Sequence, residues 1–274
     1  MKPHDSSADS LVEESFFGYR ILRKALAADL VPIFRALLRR LSPDNVPAPC
    51  AGAESVRAPF APFRVCADGN ADDFCVARMF HDGRCRCWLV GYRGKEYVLK
   101  LDKRDRHRFD YLAQSFFFGS NAFRLMRAAN EAFRRGFRGA PELFLVADSR
   151  RFGCTLHSFF LREYVAGKTM FDVEPEVFEA RKDEAKRIVR TLHGFGVTHG
   201  DAHPGNFILD EASGRLKVID VGGKMPTAIQ KATDRMRMEK EWGIPNDVRD
   251  WGWALARLHV MRRHFLGRLR KIFS

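Results

Sequence analysis

Two short polar segments constrain this chain more than any other feature. Residues 199–206 read HGDAHPGN, and residues 218–223 read VIDVGG. The Pro-Gly pair inside the first segment favours a turn that brings Asn206 back toward Asp201. A short hairpin between the segments returns Asp220 to the same place. The pattern therefore predicts a loop–strand–turn–strand frame that gathers two carboxylates and one amide.

Two carboxylates and an amide in this order suit phosphoryl transfer. That reaction needs a carboxylate near the attacking hydroxyl, oxygen ligands for magnesium, and a cation on the phosphates. Asp201 is the candidate beside the hydroxyl. Asn206 and Asp220 are the candidate ligands for Mg²⁺, a hard ion that prefers carboxylate and amide oxygens. The competing interpretation is a polar turn followed by a strand-terminal Asp, and two motifs in order favour the catalytic one.

The spacing of Asp201, Asn206 and Asp220 resembles the protein-kinase pattern of an Asp, four residues and an Asn, followed by Asp-x-Gly. Gly200 stands where protein kinases usually have Arg, and this form resembles the atypical small-molecule kinases, such as the aminoglycoside and lipopolysaccharide kinases. The resemblance implies an α+β, two-lobed protein-kinase-like fold, with a small antiparallel β lobe and a larger helical lobe. It also implies ATP and Mg²⁺ as cofactors.

Two upstream positions match the nucleotide-binding parts of such kinases. Residues 97–100, YVLK, resemble the strand whose Lys holds the ATP phosphates, which makes Lys100 a candidate catalytic and ATP-binding residue. The competing interpretation is a surface Lys at a strand end. Glu131 is the one acidic residue between Asp110 and Glu142. We therefore expect it to pair with Lys100 and fix the ammonium toward the phosphates.

Two further segments resemble kinase elements of known role. Residues 161–167, LREYVAG, resemble the hinge between lobes, which implies that the backbones of Glu163 and Val165 bind the adenine edge. The competing interpretation is an ordinary strand end. Residues 247–252, DVRDWG, resemble the helix start whose Asp braces the catalytic loop, so Asp247 is expected in that role.

Two departures argue against a typical protein kinase. The first predicted hairpin contains only Gly83, without a glycine-rich phosphate cover, and no Ala-Pro-Glu follows Asp220. Both favour a small-molecule or glycan acceptor.

A closer resemblance is to the lipopolysaccharide core heptose kinases of Gram-negative bacteria, over roughly residues 80–270. The matching positions are Asp220-Val221-Gly222-Gly223-Lys224, Lys231-Ala232, Asp234-Arg235, Glu239 and Trp242-Gly243-Ile244. The resemblance implies transfer of the ATP γ-phosphate to a heptose hydroxyl of the inner core, at the cytoplasmic face of the inner membrane. The alternatives are an atypical small-molecule or protein kinase of the same fold, or a basic pseudokinase that acts as a binding module.

The formal net charge of +13 indicates an anionic partner: nucleic acid, an anionic membrane surface or a phosphorylated substrate. No nucleic-acid motif is present, so no nucleic acid is expected. Basic residues follow Asp220, where the anionic acceptor is expected to dock: Lys224, Lys231, Arg235 and Arg237.

The run from Trp251 to Ser274 is basic and amphipathic, which is typical of a membrane-surface helix or of a helix packed on the large lobe. Without a signal pattern or an apolar spanning stretch, a cytoplasmic protein is expected.

The pattern of apolar residues predicts three regions. Residues 1–70 are expected to form a basic helical extension, with a helix or helix pair over 11–41, and a Pro/Ala-rich linker over 42–64. Residues 71–166 are expected to form the N-lobe, with five strands and one helix. Residues 167–274 are expected to form the C-lobe, with a basic C-terminal helix.

Overall fold

The polypeptide forms two units, and the chain passes between them three times, after Asn130, after Pro141 and after Tyr164. The first unit comprises the residues up to Asn130 and Glu142–Tyr164; the second comprises Glu131–Pro141 and the residues from Val165 onward. The computed structural model describes residues 10–16, 18–32, 34–35, 63–64, 74–82, 85–103, 119–152, 154–222 and 225–272. Most of the predicted linker, the turn at Gly83 and the Gly223-Lys224 pair lie outside the described residues.

An antiparallel sheet forms most of the first unit. The strand bounds are β1 Leu11–Phe16, β2 Tyr19–Lys24, β3 Phe63–Arg64, β4 Phe74–Asp82, β5 Cys85–Tyr92, β6 Lys95–Lys103, β7 Leu143–Arg151 and β8 Cys154–Glu163. These strands follow the order β1-β2-β7-β8-β6-β5-β4-β3 in the sheet. The five strands predicted between residues 74 and 164 are therefore confirmed, with longer bounds.

The central strands form because large apolar residues alternate along them. Trp88 and Val90 on β5 are buried, as are Leu99 and Leu101 on β6. Trp88 lies opposite Leu99 in the register, and Leu99 lies opposite Leu161 on β8. Alternate residues of a strand face opposite sides of the sheet, so this register puts one row of apolar side chains into a common core. Lys100, between two core residues, belongs to the opposite face.

The predicted helix over residues 11–41 is wrong for residues 11–24. These residues form β1 and β2, which are joined at a turn where Gly18 adopts a φ of 78°. β2 pairs with β7 and places Ile21, which is fully buried, in the sheet core. A six-residue 3-10 segment, Ala25–Leu30, follows directly. Ile21 and Leu22 of β2 are buried in two different apolar clusters, so tertiary packing overrides the apolar spacing that favoured a helix.

The next helix, α1, spans Asn121–Arg134 and confirms the helix predicted over 120–135. Its residues up to Asn130 belong to the first unit and those from Glu131 to the second. The Ser120 hydroxyl caps it by accepting a hydrogen bond from the Phe123 N–H at 3.1 Å. Its apolar face, with Phe123 and Met126, packs against Leu22 and Val146 of the sheet.

The second unit is mainly helical. Its elements are β9 Gly167–Thr169, α2 Pro175–Gly194, β10 Phe207–Asp210, β11 Leu216–Val218, α3 Ala228–Trp242 and α4 Trp251–Ile272. The three strands pair in the order β11-β10-β9. α2 buries one face with the four residues predicted for it, Ala185, Ile188, Val189 and Leu192. The Trp242 indole is buried against Phe207 and donates to the Ala202 carbonyl at 3.1 Å, which ties the end of α3 to the loop before β10.

The N-terminal hairpin can be tested by one pair of substitutions. Ile21→Ala removes a fully buried side chain, so we expect it to lower the free energy of unfolding by about 2–5 kcal/mol. The matched control is Leu26→Ala, whose side chain is 46% exposed and should change stability by less than about 0.5 kcal/mol. Denaturant unfolding followed by circular dichroism measures both, and equal small effects would contradict a hairpin built into the sheet core.

Candidate active site

A buried carboxylate on α3 holds the loop that contains the candidate catalytic residues. Asp234 Oδ2 accepts a hydrogen bond from the His199 N–H at 2.9 Å, and Asp234 Oδ1 accepts one from the Gly200 N–H at 2.7 Å. The His193 Nε2 atom on α2 lies 2.9 Å from the same Oδ2. Asp234 is 1% exposed, so these bonds stand in for the water that a carboxylate would otherwise bind.

The assignment of Asp247 as the brace is therefore wrong. Asp247 is 53% exposed and pairs with Arg190 at 2.9 Å and Lys186 at 3.4 Å, both on α2. The role belongs to Asp234. The sequence contained an indication of this role, because Asp234 is one of the positions that match the lipopolysaccharide core heptose kinases. The Asp247 assignment followed the motif's position near a helix start, which does not determine whether a carboxylate is buried.

Gly200 supplies a backbone conformation that the loop requires. Its φ is 82°, in the left-handed region where residues with a Cβ are strained. With this turn, the Asp201 N–H donates to Nδ1 of His199 at 3.2 Å. Glycine at position 200, where protein kinases usually have arginine, therefore allows the tight turn of this loop.

Asp201 is the half-exposed carboxylate of the loop. Its side chain is 49% exposed and forms an ion pair with Arg237, which lies on α3 three residues after Asp234. On its other side, Oδ2 lies 3.7 Å from Nε2 of His203. A carboxylate that is accessible and oriented by a cation can accept a hydrogen bond from a substrate hydroxyl.

Asn206 is held by the same loop. Its Nδ2 donates to the Asp201 carbonyl at 2.9 Å. Because the amide nitrogen supports the loop, the amide oxygen is the atom that could ligate a metal ion. The turn through Pro204 and Gly205, which was predicted to bring residue 206 back toward residue 201, is a short 3-10 turn over Pro204–Asn206.

Asp220 follows β11 in a strained conformation. Its φ is 63°, which is uncommon for a residue with a side chain and costs about 1–3 kcal/mol. Backbone bonds on both sides of it hold the strand end against the loop: Ile219 N–H to the Asn206 carbonyl at 2.8 Å, and Gly222 N–H to the His199 carbonyl at 3.0 Å. The loop and the end of β11 are therefore joined as the sequence predicted.

His199, the first residue of the loop, is buried. It is 1% exposed, and its ring stacks on Phe207 with centroids 5.8 Å apart. Burial lowers the pKa of His199, and the nearby carboxylates of Asp234, Asp220 and Asp201 oppose this effect. A neutral His199 is consistent with its Nδ1 accepting the Asp201 N–H.

The chemistry of the donors fits a magnesium ion that arrives with a nucleotide. Within the described residues, no group of three or more His, Cys, Asp or Glu side chains could hold a metal ion. Mg²⁺ in phosphoryl-transfer sites takes one or two protein oxygens and completes its shell with phosphates and water. Asn206 and Asp220 supply that smaller set.

The other predicted nucleotide-binding residues lie partly in the first unit. Lys100 is on β6, opposite Cys87 and Phe160 in the register. The Glu131 carboxylate pairs with Arg135 at 2.6 Å and with Arg134 at 3.8 Å, on and just beyond the end of α1. A Lys100–Glu131 pair remains a prediction.

The hinge residues lie on either side of the boundary between the units. The Glu163 N–H donates to the Glu142 carbonyl at 2.8 Å, and the Glu163 carboxylate accepts the Glu142 N–H at 3.0 Å. Val165, the first residue of the second unit from this side, is buried. The adenine contact at Glu163 and Val165 remains a prediction.

Loss of the Asp234 carboxylate should release the loop. Asp234→Ala leaves the N–H groups of His199 and Gly200 without acceptors, and each such buried group costs about 1–3 kcal/mol. We expect a lower unfolding temperature and faster amide hydrogen exchange at both residues. Asp247→Ala is the matched control, because its ion pairs with Lys186 and Arg190 are exposed and screened by solvent. Unchanged exchange at His199 and Gly200 in Asp234→Ala would contradict the brace.

Comparison with known proteins agrees with this geometry. A family model described as "Lipopolysaccharide core biosynthesis protein (WaaY)" matches residues 70–272, which include all the candidate site residues. Two relatives are named lipopolysaccharide core heptose(II) kinase WaaY. One, from Escherichia coli strain K12, is 28% identical over 63% of this chain and 73% of its own length. The other, from Escherichia coli, is 29% identical over 66% of this chain and 78% of its own length.

Among solved structures, the kinase domain of M. tuberculosis PknI is similar, with a TM-score of 0.42 and 19% identity over 62% of this chain and 71% of that chain. The family match spans most of the sequence and includes the loop, the brace and the strand-end Asp220. The fold is α+β, and the chain belongs to the WaaY family of lipopolysaccharide core biosynthesis proteins.

Proposed function

We propose that this protein transfers the γ-phosphate of Mg-ATP to a heptose hydroxyl of the lipopolysaccharide inner core. The observation that carries the proposal is the loop from His199 to Asn206, fixed by Asp234, which presents Asp201 and joins Asn206 to the strand end before Asp220. The Escherichia coli relatives are named heptose(II) kinases, so the second heptose is the first acceptor to test.

In this proposal each site residue has one task. Asp201 orients the acceptor hydroxyl and accepts its hydrogen bond as the oxygen attacks the phosphorus. Asn206 and Asp220 hold magnesium, which when bound neutralises the charge on the transferred phosphoryl group. Lys100, on β6, binds the nucleotide phosphates, and Glu163 and Val165 bind the adenine through their backbones.

Arg237 is the basic residue beside Asp201 that we assign to binding the anionic acceptor. A guanidinium has five N–H donors, so a single Asp201 contact leaves donors for an anionic group of the core glycolipid. Its side chain is 42% exposed, which keeps it accessible. Arg235, which was expected in the same docking group, instead pairs with both Asp250 oxygens at 3.0 and 3.2 Å and connects α3 to the start of α4. Because the Arg235 side chain is 22% exposed, against 42% for Arg237, we assign docking of the acceptor, among the described residues, to Arg237 and Lys231.

The described part of α4 supports a peripheral contact with an anionic membrane surface. Gly252 and Ala256 are buried, and a Cβ added at Gly252 would lie 2.7 Å from Ala228 of α3, so this side packs on the unit. A different side exposes apolar residues at intervals of three and four: Trp251, Leu255, Leu258 and Met261. An exposed apolar stripe on a basic helix suits the boundary between lipid headgroups and acyl chains. Within the described residues, no helix is long and apolar enough to cross a membrane.

Asp201→Asn should reduce phosphate transfer by at least about a hundredfold while the affinity for ATP stays nearly unchanged. The amide keeps the shape of the carboxylate but cannot accept the hydroxyl proton. Transfer from labelled ATP is measured in parallel with lipopolysaccharide, a protein and an aminoglycoside as acceptors. Asp183→Asn, an exposed position on α2, is the control. Full activity of Asp201→Asn would contradict the catalytic role of Asp201. Transfer of phosphate only to the protein or only to the aminoglycoside would contradict lipopolysaccharide as the acceptor.

The membrane contact predicts a second outcome. Replacing Leu255, Leu258 and Met261 with Ser should lower binding to phosphatidylglycerol vesicles, because these side chains are 43%, 61% and 60% exposed and are available for insertion. Leu26→Ser, at an exposed position of the first unit, is the control. Vesicle sedimentation measures binding, and circular dichroism verifies folding. If the folded triple variant still sediments fully, the membrane contact does not lie on this face of α4.

A further inference from the structure

An exposed phenylalanine stands directly beside the catalytic loop. Phe171, in the turn between β9 and α2, is 63% exposed. Its ring stacks nearly parallel on the imidazole of His203, with centroids 5.8 Å apart and an interplanar angle of 20°. Single exposed apolar residues are common on protein surfaces. This one differs because it is stacked on a residue of the loop that carries Asp201.

Gly205 makes the stack possible. A Cβ at position 205 would lie 2.8 and 2.9 Å from two ring atoms of Phe171 and 3.0 Å from Cε1 of His203. Real Cβ contacts are longer, so a side chain here would displace the rings. The backbone on either side of Phe171 is also held: the Met170 N–H donates to the Phe207 carbonyl and the Asp172 N–H to the Thr169 carbonyl, each at 2.9 Å. These bonds hold the backbone of the turn, and the stack on His203 gives the Phe171 ring a packed position beside the loop.

His203 connects this ring to Asp201. Its Nδ1 accepts the Gly205 N–H at 3.1 Å, so the proton of the neutral imidazole is on Nε2. Nε2 lies 3.7 Å from Asp201 Oδ2. The apolar ring of Phe171, in the turn after β9, thus lies beside an N–H donor and a carboxylate on the loop.

This sequence of groups matches the chemistry of a sugar ring. One face of a pyranose presents C–H groups that pack on an aromatic face, and its edge presents hydroxyls that need hydrogen-bond partners. A ring packed on Phe171 would have a donor at His203 and an acceptor at Asp201 for the hydroxyls on its edge. A binding site with an apolar wall and a few placed polar groups fixes orientation as well as affinity.

We infer that Phe171 and His203 form the platform that binds the acceptor sugar and directs its hydroxyl toward Asp201. The inference rests on the proposed function and adds a sugar-binding subsite to it. It assigns Phe171 a positioning role and gives it no part in ATP binding.

The test compares Phe171→Ala, Phe171→Trp and the unaltered protein, with Phe152→Ala as control. Phe152 is 85% exposed in the turn between β7 and β8. With lipopolysaccharide as acceptor, Phe171→Ala should raise the acceptor KM about tenfold, the loss expected for one stacked ring. The ATP KM should stay constant, and Phe171→Trp should retain affinity because its face is larger. Saturation-transfer NMR with delipidated core oligosaccharide and a non-hydrolysable ATP analogue should show contact with sugar ring protons that Phe171→Ala removes.

The outcomes separate this inference from the proposed function. If the unaltered protein phosphorylates lipopolysaccharide and Phe171→Ala does so with the same acceptor KM, the platform is wrong and the kinase assignment stands. If Phe171→Ala raises the ATP KM instead, the ring binds the nucleotide and the platform is again wrong. If the unaltered protein neither phosphorylates lipopolysaccharide nor binds the oligosaccharide, both proposals fail.

Discussion

The buried carboxylate of Asp234 is the interaction on which the rest of the site depends. It binds two consecutive backbone N–H groups, of His199 and Gly200, and also contacts His193 on α2. A carboxylate with almost no solvent exposure is stable only when its oxygens have such partners. The same bonds hold the backbone immediately before Asp201, so the position of this part of the loop depends on one residue of α3.

The position of Asp234 on α3 also explains the surroundings of Asp201. Arg237 lies three residues later, nearly one helical turn, and pairs with Asp201. Trp242, at the end of the same helix, holds the Ala202 carbonyl. The loop is thus secured at its start and its middle by one helix, and its end is joined to β11 through Asn206 and Ile219. This support can sustain the strained φ of Asp220, which an isolated turn would relax.

Some of this arrangement was predictable and some was not. The strands around Lys100 follow from the alternation of large apolar residues, and the order of Asp201, Asn206 and Asp220 follows from their spacing. The hairpin at residues 11–24 was missed because its apolar residues also fit a helical spacing, and only the partner strand β7 decides between the two. Asp234 was missed as the brace, and Asp247 chosen, because burial of a carboxylate depends on packing between α3 and the loop. Phe171 gives no local signal at all, since its role depends on its stack with His203, thirty-two residues later.

We propose that Asp201, on the loop held by Asp234, serves the transfer of phosphate to the lipopolysaccharide core. The most direct measurement is a mass spectrum of the core oligosaccharide from bacteria that lack this protein and from the same bacteria complemented with the unaltered protein or with Asp201→Asn. The account predicts that one phosphate on a core heptose is absent without the protein, returns with the unaltered chain and does not return with Asp201→Asn. A core with the same phosphate content in all three strains would contradict it.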